Sequence, residues 1–198
     1  MQRLFYVTWT IIKLNLFFVL GSLAGLGIFG IGPAFQATND LLMAHGIDYE
    51  AITIRAFFKA WQANFKRSNY FFIVFLLSGG LLGYNLYLAV QFTGLVWMVV
   101  TFFLVFALLL LSIAYLYGVL YETKYEMALP HLFKLALISV FLNFGQLLKI
   151  LFGIASIFLL TWYFKGLFLF ATFSLILIFT GYATKDVRQL VDQKFVRP

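Results

Sequence analysis

Gly25-Leu26-Gly27-Ile28-Phe29-Gly30 spells G-x-G-x-x-G, the spacing that lets a backbone close around a dinucleotide pyrophosphate. That chemistry needs a strand before the motif and a helix N-terminus at the phosphates. Here the motif lies inside the apolar stretch Leu20–Ala34, so the reading is helix packing and nucleotide binding is discarded. His45 and His131 sit in different connectors with no carboxylate at metal-ligand spacing, and the chain has no cysteine. No Ser-His-Asp or paired-carboxylate pattern is visible. No catalytic, cofactor-binding or metal-ligating residue is therefore expected. Two groups suit recognition instead. Arg55, Lys59 and Lys66, with Trp61 on the apolar side, make a membrane-surface or partner-facing helix; Glu122, Lys124 and Glu126 make a charged loop. Tyr84 and Asn85 mark a candidate polar cavity.

The composition sets where such residues can sit. Of 198 residues 64% are hydrophobic, 21% aromatic and only 11% charged. A soluble domain carries about 25% charged residues, so this chain lacks the charge to coat a water-facing surface. An integral membrane protein is the class that fits. Its start has too long an apolar run for a signal peptide and no A-x-A-like cleavage site, and is expected to be mature structure. The net charge of +7 collects in connecting segments, where it reports topology and attraction to anionic lipid headgroups. Nucleic acid is not an expected partner.

Helical periodicity and apolar length predict an all-α polytopic membrane bundle, a single membrane domain over 1–198. About five transmembrane helices are expected, at about 15–32, 70–87, 95–117, 147–164 and 167–182. Two interfacial amphipathic helices are expected at about 51–67 and 131–146. In the first, Ile54, Phe57, Phe58, Trp61 and Phe65 share one face. The glycine-rich first span is expected to end in a kink at Pro33. Its small residues form two stripes, Gly21, Gly25 and Gly32 against Gly27, Gly30, Ala34 and Ala37, suited to packing between two neighbours. Asp48 is the expected cap of the helix that follows. Apart from Lys149 at the very start of the fourth, these spans hold no Asp, Glu, Lys, Arg or His, which argues against ion-coupled transport. Their Ser and Thr residues are expected to bond their own backbone or a neighbouring helix rather than a substrate.

Most cations fall on one side: Arg55, Lys59, Lys66, Arg67, Lys124, Lys134, Lys149, Lys185, Arg188, Lys194 and Arg197. Arg3, Lys13 and Lys165 fall on the other. The richer side is expected to be cytoplasmic, with the C-terminus inside and the N-terminus outside. A re-entrant glycine-rich segment would instead bring the N-terminus inside. Elbow, span, turn and returning span recur at 51–118 and 131–183, a pattern that predicts two superposable hairpins.

The run KLNLFFVLGSLAGLGIFGIGPA, then AHGIDYEAITIRAFFKAWQANFKRSN, and YETKYEM after the third span resemble the YesL family of bacterial integral membrane proteins, a domain of unknown function. The similarity is strongest over the first third. The resemblance implies a five-span protein of the cell membrane, with genes commonly beside carbohydrate uptake systems, and assigns no catalytic residues. The expected function is a non-enzymatic accessory or assembly component of carbohydrate ABC uptake, with permease subunits as partners and a homo-oligomer possible. The alternative is a non-ion-coupled transporter or small-ligand-binding membrane protein.

Overall fold

The computed structural model describes residues 2–193, with side chains from Leu4 onward; Lys194, Arg197 and the Arg3 side chain, counted above among the topology-setting cations, lie outside the described residues. Every regular element among the described residues is a helix.

The glycine-rich stretch is a hairpin. Helix α1 (Gln2–Ala24) stops at Gly25-Leu26-Gly27 and α2 (Ile28–His45) runs back beside it. Leu26 and Gly27 take φ of 57° and 80°, and the Gly27 N–H donates to the Ser22 carbonyl at 2.9 Å, a left-handed helix stop that glycine favours. The expected single span at 15–32 is thereby corrected, and Pro33 lies inside α2 rather than at a kink that starts it. Thr10 Oγ1 donates to the Ile47 carbonyl at 3.3 Å and Lys13 Nζ to that of Tyr49 at 2.9 Å. The stretch of α1 around Thr10–Lys13 therefore sits beside the connector after α2.

Thr53 caps α3 (Ile54–Ala89), its Oγ1 accepting from the Ala56 N–H at 3.2 Å. Asp48, the expected cap, instead accepts from the Glu50 N–H within the turn. The expected elbow and second span are one unbroken 36-residue helix, because Ser68 and Asn69 are buried within it and neither breaks helical geometry. After α4 (Leu95–Lys124) come α5 (Leu129–Phe141), shorter than the predicted second elbow, and α6 (Phe144–Tyr163). Asn143 ends that elbow early: its Oδ1 accepts from the Gln146 N–H at 3.2 Å and starts α6.

Among the described residues, Leu4–Ala24 of α1, with α3, α4 and α6, are the four helices long and apolar enough to cross a bilayer. The expected fifth span at 167–182 is broken at Ala171 into α7 (Leu167–Phe170) and α8 (Thr172–Ala183). At about 1.5 Å per residue, α8 reaches only about 18 Å of the roughly 30 Å hydrocarbon core. By the same arithmetic α4 exceeds that core. The apolar run 95–117 fills it, and the last turns, with Glu122 and Lys124, extend past it beside the cationic part of α3. A seven-residue helix α9 (Lys185–Val191) follows.

Aromatic packing fills the interior. Phe17, Phe18, Phe35 and Phe57 join the hairpin to α3, and the Phe18 and Phe173 rings stack 4.2 Å apart to bring in α8. Phe71, Phe75, Tyr117, Tyr121 and Leu132 join α3, α4 and α5. Gly118 is required there, since the Phe71 ring occupies the place a β-carbon would take. Ser112 and Ser156 bond carbonyls of their own helices, as expected, while Thr161 bonds both its own helix and Thr172. The two repeat hairpins differ in construction. Elbow and span are fused in α3 but separate in α5 and α6, and the returning helix is continuous in α4 but broken at Ala171.

Candidate functional site: a polar corner beside the membrane

Gln36, Asn39 and Asp40 stand at i, i+3 and i+4 on α2, so they present one polar stripe on an otherwise apolar helix. Gln36 and Asn39 are buried. The stripe meets α3 and α4 at a single carboxylate. Asp40 Oδ1 accepts from Thr123 Oγ1 at 2.6 Å and from Gln36 Nε2 at 3.0 Å; Oδ2 accepts from Asn64 Nδ2 at 2.6 Å. Thr123 Oγ1 in turn accepts from Gln36 Nε2 and Asn39 Nδ2, each at 2.7 Å, and Asn39 also reaches the Val119 carbonyl. Burial raises the Asp40 carboxyl above its ordinary value, against the pull of its three donors.

One turn away a charge pair joins the same helices. Arg67 Nε donates to Glu122 Oε1 at 3.1 Å, while Arg67 Nη2 donates to the Met127 carbonyl at 2.6 Å, which ties the α4–α5 connector to α3. The Glu122 side chain is only 3% exposed, and its Oε2 has no partner among the described residues. Gln36 Oε1, Ser68 Oγ and both amide atoms of Asn69 are likewise buried and unpaired. A cleft of about 490 Å³ opens onto this corner, lined by Asn64, Arg67, Glu122, Tyr125, Glu126 and Met127. Such an arrangement fixes three helices against one another and offers a hydrogen-bond donor a buried acceptor.

Burial raises Glu122 to about 7, in spite of Arg67 beside it and with the Asp40 charge adding to the rise. An unfolded glutamate ordinarily releases its proton near 4.5. Folding therefore retains a proton that the unfolded chain gives up, and this contribution to stability is full below pH 4.5 and lost as the pH rises through 7. The expected result is a detergent-solubilised protein whose melting temperature falls between pH 5.5 and pH 8. Glu122→Gln should flatten that slope, and an unchanged slope in the variant would exclude Glu122 as its source.

The residues expected from sequence separate into several places. Arg55, Lys59 and Lys66 are exposed on the outer side of α3, and Trp61 turns inward against Gly21 and Phe65. Glu126 is exposed at the cleft. Lys124 is paired with Asp192, which also accepts from the Tyr125 hydroxyl. Glu122, expected in an open charged loop, is internal, because α4 runs on for two turns past the apolar stretch and carries it against Arg67. The expected polar cavity at Tyr84 and Asn85 is corrected. Both are exposed, and Asn85 Nδ2 donates to the Leu81 carbonyl of its own helix at 2.8 Å. Among the glycines, Gly21 makes room for the Phe57 ring and Gly32 for Ser68 and Phe72 of α3, while Gly25 and Gly30 face each other across the hairpin. The two stripes of one helix are thus corrected to contacts made by two helices.

Asn15 is a second polar centre. Buried in α1, its amide sits in the break between α7 and α8. Nδ2 donates to the Phe168 and Leu169 carbonyls at 3.1 and 2.7 Å, and Oδ1 accepts from the Phe173 and Ser174 N–H groups at 2.8 and 3.2 Å. The break is therefore closed by the protein itself. Sequence reasoning missed the assembly of Gln36, Asn39, Asp40, Asn64, Arg67 and Thr123; the i, i+3, i+4 stripe on α2 was the available signal.

No curated protein and no solved structure matches the chain. Residues 11–86 match the family described as "Protein of unknown function, DUF624". That stretch covers most of the hairpin and of α3, including Gln36, Asn39, Asp40, Asn64 and Arg67. YesL proteins carry this domain, so the resemblance in the first third is borne out. Over residues 11–86 the chain is similar to this family of unknown function, and it folds as an all-α membrane helix bundle.

Proposed function

We propose that this protein is a non-enzymatic accessory or assembly subunit that docks onto a permease of a carbohydrate ABC importer in the cell membrane. The observation that carries the reading is the cleft at the α3–α4–α5 corner. It has a rigid hydrogen-bonded floor, charged side chains at its rim and a buried acceptor, Glu122 Oε2, that lacks a donor. An interface core of this kind takes a donor from a partner, and the part-exposed Arg67 and exposed Glu126 supply a rim that selects it by charge. The choice of an importer rests on the family resemblance, whose genes commonly stand beside carbohydrate uptake systems. We place this corner on the cytoplasmic side, where the cations concentrate. The hairpin then brings the start of α1 to that side as well, in place of the external N-terminus expected from a single first span.

The test is affinity isolation of the tagged protein from membranes of cells grown on an oligosaccharide. Permease subunits should co-purify, and Glu126→Lys should reduce their recovery at least several-fold while the melting temperature stays unchanged. Isolation that never recovers a permease under crosslinking overturns the proposal.

A further inference from the structure

A second cleft, of about 670 Å³, lies between the start of α6 and the α8–α9 junction, away from the corner described above. Its lining divides by chemistry. Lys149 and Lys185 are exposed at its mouth, and no hydrogen bond or ion pair engages either ammonium among the described residues. The one acidic group there, Asp186, has its Oδ2 occupied by Gln146 Nε2 at 2.7 Å. Leu148, Phe152 and Phe179 form the apolar part, with Phe152 and Tyr182 largely exposed towards the surroundings. Gly153 lets the Phe179 ring lie against α6. Gln146 is 4% exposed, yet its Oε1 has no partner.

We propose that this cleft is a binding site for a single anionic phospholipid whose headgroup carries a hydroxyl, of the phosphatidylglycerol class. Two free ammoniums meet the phosphate. Gln146 Oε1 accepts from the headgroup hydroxyl, which gives that buried oxygen the donor it lacks. An acyl chain follows Phe152 and Phe179 towards the bilayer interior. Basic pockets between membrane helices at the cytoplasmic surface are where anionic headgroups bind. The lysine stems reach from the second turn of α6 and from α9 to the headgroup level, as such chains do at helix ends. A free phosphate ion would use the ammoniums and leave the apolar wall bare.

The test is native mass spectrometry of the full chain in detergent, titrated with phosphatidylglycerol, phosphatidylcholine or inorganic phosphate. One phosphatidylglycerol should be retained in preference to phosphatidylcholine. At about 1 kcal/mol per lysine near the surface, Lys149→Gln with Lys185→Gln should weaken that binding about thirtyfold. Lys59→Gln with Lys66→Gln, which removes the same charge elsewhere, should leave it within about twofold. Three results would overturn the proposal. They are equal retention of phosphatidylcholine, an equal loss in both double variants, and displacement of the lipid by millimolar inorganic phosphate. Melting temperatures in phosphatidylcholine nanodiscs check that all variants are folded.

Discussion

Asn15→Leu is expected to destabilise the protein by roughly 3 kcal/mol, on the order of 8 °C in melting temperature for a chain of this length. In an unbroken helix the Phe173 N–H would donate to the Leu169 carbonyl. Here the Asn15 amide stands between them, accepting from the one and donating to the other. Leucine keeps the branched shape, with somewhat larger volume, and removes all four hydrogen bonds. Each buried backbone group left unpaired costs about 1–3 kcal/mol, which sets the upper end. Interhelical side-chain hydrogen bonds in membranes average only about 0.6 kcal/mol, because an unfolded chain in lipid finds other partners, and four of these set the lower end near 2.4. The helix can also recover part of the loss by straightening, which would pull Phe173 away from Phe18 and Phe35. Asn85→Leu is the control, since its amide donates only to its own helix and is exposed. Thermal unfolding in detergent reads both, and equal melting temperatures would mean that Asn15 does not hold the break.

Local pattern made α3, α4 and α6 legible. Ile54, Phe57, Phe58, Trp61 and Phe65 recur at helical spacing, and an apolar run such as 95–117 has few other ways to satisfy its backbone in lipid. Ser68-Asn69 misled because a pair that favours turns in water can sit inside a helix when neighbouring helices bury it. Residues 167–182 misled for the opposite reason. They are apolar throughout, and nothing in them marks Ala171 as a break; the cause is Asn15, more than 150 residues away. The polar corner was hidden by the same distance. Gln36, Asn39 and Asp40 read as ordinary polar residues near a connector until Asn64 and Thr123, 24 and 83 residues from Asp40, are brought to the carboxylate. Hydropathy alone puts Glu122 in a loop because it reports where the apolar run ends, whereas the α4 helix continues to Lys124.

Gly30→Ala is expected to open the α1–α2 hairpin and to cost roughly 2–3 kcal/mol, although alanine is about 1 kcal/mol better than glycine inside a helix. A β-carbon at Gly30 would lie 2.6 Å from the Gly21 carbonyl oxygen and closer still to that of Ser22. These are backbone atoms, so no side-chain rotation relieves the clash and the two helices must separate. Separation propagates. The hairpin carries Asp40 on α2 and Asn15 on α1, so the corner and the helix break both depend on how closely α1 and α2 approach. Gly83→Ala, at a position with nothing within 4 Å, should be neutral or stabilising by up to about 1 kcal/mol. Gly25 faces Gly30 directly, a β-carbon there meeting the Gly30 backbone. Once one substitution has opened the hairpin the other meets less resistance, so the double variant should lose about 1 kcal/mol or more less than the sum of the singles. Additive losses in the melting experiment would place the two glycines in separate roles and refute the hairpin clash as their common cause.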